Sequence, residues 1–429
     1  MSNVAGFTDL RKVYDPNSII VELYFGQSLQ PIRCIAVTYD SDTYVTSDPS
    51  SCQNYDTCEL LDLERANVDT TTDFSDFSRM ISTGDTITGS YVNSILGIRL
   101  NDTIRTFNAT FAVASSSDVP ICVLGLGPKN GESTGVQIEN GIVSPTYKSL
   151  PILLKSAGLI KSTSYSLFVA DNSGSLAFGT VDHTKFEGSL QLVPIVDVSV
   201  DGELLEHIKA PLEIQVVLLG ISLESNGTLY PVLQMESPAL LAIGMQATYL
   251  PQKFLDELVG FYGLLYHDDL GGYLAPCDLP GSLVFNISGV PLTTALKDYL
   301  TETPLTFSDQ QKACFLQLPP TGNIDYCALG NSLAMSNYIA VDLDALMIGV
   351  APLKTQPDDG PSQIQSIPEA FRKAVPAPVL PANTYNKSDL VAIPLPRAKK
   401  TYTLNNGGKL QISSFYTIVC LITYMFIII

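Results

Sequence analysis

Eight cysteines, three histidines and five glycosylation sequons carry the most recognisable chemistry in this chain of 429 residues. Cys52 and Cys58 enclose a short polar loop, Gln53-Asn54-Tyr55-Asp56-Thr57, of a size that a disulfide can close. Cys277 and Cys314 form a second candidate pair, and the alternative for any pair is free buried thiols. Asn101, Asn108, Asn226, Asn286 and Asn386 each open an N-x-S/T sequon, which fits a secreted route. The cysteines form no C-x-x-C and only three histidines exist, so neither a metal nor any other cofactor is expected. His183, His207 and His267 carry no spacing that would pair one of them with a cysteine nucleophile.

The elements that must hold these groups read as strands. Short β-branched and aromatic runs punctuated by Gly, Asn, Asp and Ser dominate residues 18–352, the pattern of an all-β protein. Helical apolar spacing with a glycine stop occurs at 147–158 and at 251–260. Hydrophobic residues make up 45% and charged ones 16%, and the length allows two lobes with a core each. Lys and Arg number 24 against 43 Asp and Glu, a formal charge of −19, so nucleic acid is not an expected partner. The compact basic run Arg397, Lys399 and Lys400 lies in a Pro-rich tail and reads as a solvated linker rather than a binding patch. The whole stretch 353–405, rich in Pro, Gln, Ser and Ala, lacks periodicity and reads as a linker or stalk.

The two ends point in different directions. Residues 1–30 show no charged-then-apolar leader, whereas 415–429 are almost wholly apolar. Small residues at Asn405-Asn406-Gly407-Gly408 precede a short polar spacer and then that apolar run. This is the pattern of a glycolipid (GPI) anchor signal, with Asn406 the preferred attachment residue, Asn405 the alternative, and a tail helix the rival reading. A GPI signal without an entry signal leaves two expectations open. Either the true start lies elsewhere, or the protein never enters the secretory pathway.

An internal repeat is more informative. Two apolar strands end at Val37 and Ala242, and the same interval separates each from the glycine of a Leu-Gly dipeptide, Gly125 and Gly330. Equal intervals in both halves predict duplicated lobes facing each other across a cleft. Ile20-Val21-Glu22-Leu23-Tyr24-Phe25-Gly26 with Gln30, the run Tyr147 to Ile160, and Val181-Asp182-His183 then carry a resemblance, as do Thr248-Tyr249-Leu250-Pro251 and Val341-Asp342-Leu343-Asp344. At these residues the chain resembles the pepsin-type aspartic proteases, and within them the fungal yapsin-like, GPI-anchored group. The resemblance covers about Ser18 to Pro352 and implies an all-β, bilobal fold. The first lobe is expected over 1–190, the second over 191–352, then the linker 353–405 and the tail 406–429.

The family's chemistry needs two D-[TS]-G loops whose carboxylates share one proton at the cleft floor. Counting eleven residues from Gly26, as the family does, reaches Val37, and the loop reads Val37-Thr38-Tyr39-Asp40-Ser41-Asp42. Counting back from Thr248-Tyr249-Leu250-Pro251 reaches Ala242, in Ala242-Ile243-Gly244-Met245. By this reading both carboxylates are gone. Asp40 lies three positions past the slot, Asp42 matches a non-catalytic position, and Glu236 sits six residues before Ala242, so none is expected to stand in. Tyr39 replaces a glycine of the family pattern, Thr83 takes the tyrosine slot of a shortened flap, Thr83-Gly84-Asp85, and Tyr44 takes the usual tryptophan position. In the family fold the strands of Cys34 and Cys122 adjoin; inert buried thiols are favoured there over an extra disulfide, and Cys327 has no clear partner.

The expected function is therefore non-enzymatic. The reading is a monomeric pseudoprotease at the cell surface or wall, held by the anchor or tail, whose cleft takes extended peptides by strand-type hydrogen bonding. The rivals are an active endopeptidase, a structural cell-wall glycoprotein, and a relic without a selected role.

Overall fold

The computed structural model describes residues 7–10, 19–51, 73–80, 86–116, 122–133, 147–170, 173–196, 211–321, 327–354, 362–379 and 390–405. Its elements are mostly strands, and the few helices are short. The first lobe is a seven-stranded sheet that begins with Ile20–Phe25, Gln30–Val37 and Cys122–Gly125. It continues through Tyr44–Ser51, Thr103–Ser116, Thr86–Leu100 and Asp73–Met80, and Ile20–Phe25 pairs back on Thr86–Leu100 to curl it. The second lobe is built on Gln215–Ser225 and Thr228–Leu241, with Ser282–Ile287 and Val290–Ala295 on one side and Cys327–Leu329 on the other. In Ser282–Ile287 and Val290–Ala295 buried and more exposed residues alternate, as a sheet with one face on the core requires.

A third sheet joins the lobes. Ser173–Phe178 and Ser164–Ala170 come from the first half, and Asn337–Asp342, Met347–Pro352 and Gln191–Pro194 from the second. Every residue of Asn337–Asp342 is buried, because the strand is covered on both faces. The apolar core runs without a break from Val21 and Phe111 in the first lobe to Leu223 and Phe285 in the second.

The equal intervals in the sequence correspond to one pairing made twice. Gln30–Val37 runs parallel to Cys122–Gly125 with Val37 opposite Gly125, and Leu241 stands opposite Leu329 in the parallel pair of the second lobe. Both glycines are needed for close approach. A Cβ on Gly125 would lie 2.5 Å from the Ser41 backbone, and one on Gly330 would lie 2.3 Å from the Ala247 carbonyl.

Three expectations need correcting. Cys34 and Cys122 are not free thiols: they are joined, with Sγ–Sγ 2.01 Å, because the parallel register sets their Cα atoms 4.4 Å apart. The helix expected to stop at Gly260 runs Gln252–Tyr262 and stops at Gly263, whose φ of 67° lets its amide close on the Val259 carbonyl at 2.8 Å. The described parts of 353–405 are no free linker. Ile364–Ser366 pairs with Thr180–Asp182, Val375–Pro376 with Gln191–Pro194, and Val391–Ala392 with Thr228–Leu241. These strands are two or three residues long and Pro-broken, too short to show a period.

Cys277 and Cys314 are also joined, with Sγ–Sγ 2.09 Å, and Cys327 is a buried free thiol. Cys52 and Cys58 lie outside the described residues. The Cys34–Cys122 bond closes a span of 88 residues. The loop-entropy argument then gives about 4.6 kcal/mol of stabilisation. The double variant Cys34→Ala/Cys122→Ala is expected to lose about that much in a denaturant titration. Unreduced peptide maps of the parent protein should show the cross-linked pair.

Candidate functional site

The strand Gln30–Val37 delivers a loop to the boundary between the lobes, and Thr38 crosses it. The Thr38 hydroxyl donates to the carbonyl of Leu241 and accepts the Ile243 amide at 3.0 Å, while the Thr38 amide donates to the Ile243 carbonyl at 2.9 Å. From the other side Gly244, at φ 102°, donates its amide to Asn331 Oδ1 at 2.6 Å. A Cβ on Gly244 would lie 2.5 Å from the Ala36 carbonyl and 2.6 Å from Val37 Cγ1. The two loops are in contact at backbone distance.

The residues preceding the crossing pair are apolar and buried: Val37 is 2% exposed and Ala242 is 0% exposed. Val37 packs with Tyr44, Phe77, Tyr91 and Tyr147, and Ala242 with Met245, Ala247 and Tyr249. Tyr39 packs against both groups, so one side chain spans the floor where the lobes meet. Tyr44, Phe77, Tyr91 and Tyr147 form a chain of ring contacts with centroids 5.4, 5.4 and 5.6 Å apart.

The neighbouring acids have other partners. Asp42 accepts hydrogen bonds from the hydroxyls of Tyr91, Tyr147 and Ser133 and from the Ser133 amide. Asp40 is buried and accepts the Asp42 amide at 2.9 Å. Glu236 stands exposed on the strand Thr228–Leu241. Beside Asp42 lies Glu132, 1% exposed, with its Oε1 unpartnered. Burial first, and then the nearby Asp42 charge, push the Glu132 carboxyl up to about 9 against the partial relief of Lys129 and the Tyr147 backbone. Burial and the same Asp42 charge raise Tyr91 and Tyr147, so both stay neutral donors.

The remaining sequence candidates sort simply. Thr83, Gly84 and Asp85 lie outside the described residues, between Met80 and Thr86, which pair as a hairpin. Asn101, Asn108, Asn226 and Asn286 are exposed, the first and third in turns. Asn386 and Asn406 lie outside the described residues. The buried Cys327 thiol is pushed up to about 12 by burial and is inert as a nucleophile at neutral pH. Sequence reasoning missed Glu132 altogether, since a Glu beside Gly and Ser reads as an exposed turn residue. It also missed the linking role of Thr38, whose only signal was its retention between two altered positions.

Two strand-built lobes, each sending one loop to a shared floor, define a pepsin-like aspartic-protease fold. The family model for eukaryotic aspartyl protease matches residues 20–353. Aspartic proteinase MKC7 of Saccharomyces cerevisiae is 30% identical over 84% of this chain and 59% of its own length. Aspartic proteinase 3 of the same yeast is 30% identical over 72% of this chain and 53% of its own length. Aspartic proteinase yapsin-3, also from that yeast, is 29% identical over 83% and 70%. The chain belongs to the eukaryotic aspartyl protease family. It spans little more than half the length of the first two of these relatives.

Glu132 makes the fold pH-sensitive in a defined direction. Its carboxyl titrates near 4.5 when unfolded and about 9 when folded, so folding retains a proton between those values. Stability from this group therefore falls as pH rises from about 4.5 through about 9. In thermal melts across that range, Glu132→Gln is expected to flatten the alkaline fall in Tm. An unchanged slope would show that Glu132 is already ionised in the folded protein.

Proposed function

We propose that this chain is a catalytically silent member of its family, a pseudoprotease displayed at the cell surface that holds extended peptides in the interlobe cleft without cutting them. One observation carries the reading. The hydrogen bonds of Thr38 to Leu241 and Ile243 fix the loop register, and in that register the residues at the meeting point are Val37 and Ala242. The family's reaction needs one carboxylate as base toward water and a second as acid toward the carbonyl. Val37 and Ala242 offer neither, and no protonation state of theirs changes with pH. Asp42 would have to leave four hydrogen bonds to substitute, which would strand buried tyrosine hydroxyls and the Ser133 amide.

The second reading is an active endopeptidase, favoured by the names of the relatives, which are called proteinases. The exposed sequon asparagines and the apolar stretch 415–429 support a secreted, surface-attached protein, with Asn406 or Asn405 as the lipid-bearing residue or a tail helix in its place. Strand-type hydrogen bonding in the cleft would give peptide affinity without chemistry.

Cleavage of a denatured protein between about pH 3 and 6, the range of carboxylate dyads, tests the reading. None is expected, and cleavage abolished by a transition-state inhibitor would overturn it. The double variant Val37→Asp/Ala242→Asp is also expected to stay below detection. Tyr39 packs against both loops, and Ile243 lacks the hydroxyl that Thr38 supplies on its own side. Adding Tyr39→Gly and Ile243→Thr to that double variant should bring cleavage to tenfold or more above the detection limit.

A further inference from the structure

Residues 362–379 and 390–405 lie beyond the part of the chain that the family model matches, yet they hydrogen-bond to Thr180–Asp182, to the interlobe sheet at Gln191–Pro194 and to the second lobe. We propose that this segment is a clamp: a strap that docks first on the interlobe sheet, crosses to the second lobe and holds the two in one fixed arrangement. It also makes residue 405 a fixed point on the second lobe rather than the end of a stalk.

The first part of the strap is seated by backbone and by two apolar anchors. Ile364–Ser366 adds a strand to Thr180–Asp182, the Gln363 amide donates to Asp182 Oδ1 at 3.1 Å, and the Ile367 amide donates to the Gly179 carbonyl at 2.9 Å. Ile367 and Phe371 are buried among Phe168, Val181, Phe186 and Tyr338. Gly349 on the interlobe strand is the seat of Phe371, since a Cβ there would lie 2.6 Å from the Phe371 ring. The crossing follows at once. Val375–Pro376 pairs with Gln191–Pro194, and the Val379 amide then donates to the carbonyl of Ser288 in the second lobe at 3.0 Å.

The second part lies along the second lobe. Val391–Ala392 pairs with Thr228–Leu241, and the Leu395 amide donates to Glu257 Oε2 at 2.8 Å. Arg397, expected from sequence as part of a solvated basic run, instead binds Glu257 Oε1 at 3.0 Å and the Asp256 carbonyl at 2.9 Å. It does so by lying on Gly260, inside the helix Gln252–Tyr262, where a Cβ would come within 1.7 Å of Nη1. Lys400 pairs with Asp309 at 2.7 Å, the Tyr402 amide reaches the Gly263 carbonyl at 3.1 Å, and the Asn405 amide reaches the Thr306 carbonyl at 3.1 Å.

Gly260 supplies a test. Replacing a helix-interior glycine by alanine ordinarily stabilises a helix. Here Gly260→Ala in the full chain pushes the tip of Arg397 off Glu257 and the Asp256 carbonyl, so amide exchange in 391–405 is expected to quicken tenfold or more whatever the helix itself gains. Exchange in 391–405 unchanged from the parent protein would overturn the clamp. Hydrogen exchange on the parent protein gives a second reading that needs no variant. The amides of Ala398, Tyr402 and Asn405 are expected to exchange within tenfold of those in the helix Gln252–Tyr262. Exchange of these three amides within tenfold of the unfolded-chain rate would overturn the clamp by itself.

Discussion

The hydroxyl of Thr38 donates to the carbonyl of Leu241 and accepts the amide of Ile243, joining positions 203 and 205 residues apart in the chain. Both loops of the cleft floor take their register from it. It is a buried polar group, so each lost partner would leave an unsatisfied donor or acceptor, a cost of roughly 1–3 kcal/mol. Gly244 then allows the loops to close to backbone contact against Ala36 and Val37. With the register set in this way, the side chains at the floor are not free to be exchanged for neighbours. An acid three or five positions on, such as Asp40 or Asp42, belongs to a different set of partners.

Those partners explain why the first loop keeps buried acids at all. Asp42 gathers Tyr91, Tyr147 and Ser133, and through Tyr91 and Tyr147 it reaches Phe77 on the hairpin strand Asp73–Met80. A fully satisfied buried network of this kind specifies one arrangement of the core. Glu132, kept protonated by burial and by Asp42, belongs to the same structural group. Asp42 is the acid that holds the lobe together here, while Glu132 keeps a buried oxygen without a partner.

The duplicated plan was legible because it left a metric trace, the equal intervals from Val37 to Gly125 and from Ala242 to Gly330. Val37 and Ala242 were legible from the pattern of the loops, whereas the link that Thr38 makes between the lobes was not. The Cys34–Cys122 bond was not, since it depends on a parallel register that strand patterning alone does not set. The strap was hidden for a related reason. Its strand contacts are backbone hydrogen bonds made two or three residues at a time between prolines, and its side-chain anchors, Ile367, Phe371, Arg397 and Lys400, are too few and unevenly spaced to show a period. Gly260 looked like a helix stop until Arg397 supplied another reason for a glycine there.

The claim that the cleft floor has no dyad can be read directly by calorimetry. A peptide bearing a transition-state hydroxyl and its deoxy counterpart would be titrated into the protein at about pH 4, where a dyad holds one proton. Two carboxylates bind such a hydroxyl far more tightly than its absence, by 10²-fold or more. With Val37 and Ala242 at the floor the hydroxyl finds no partner, and the two titrations are predicted to superimpose. A preference of tenfold or more for the hydroxyl-bearing peptide would contradict the account.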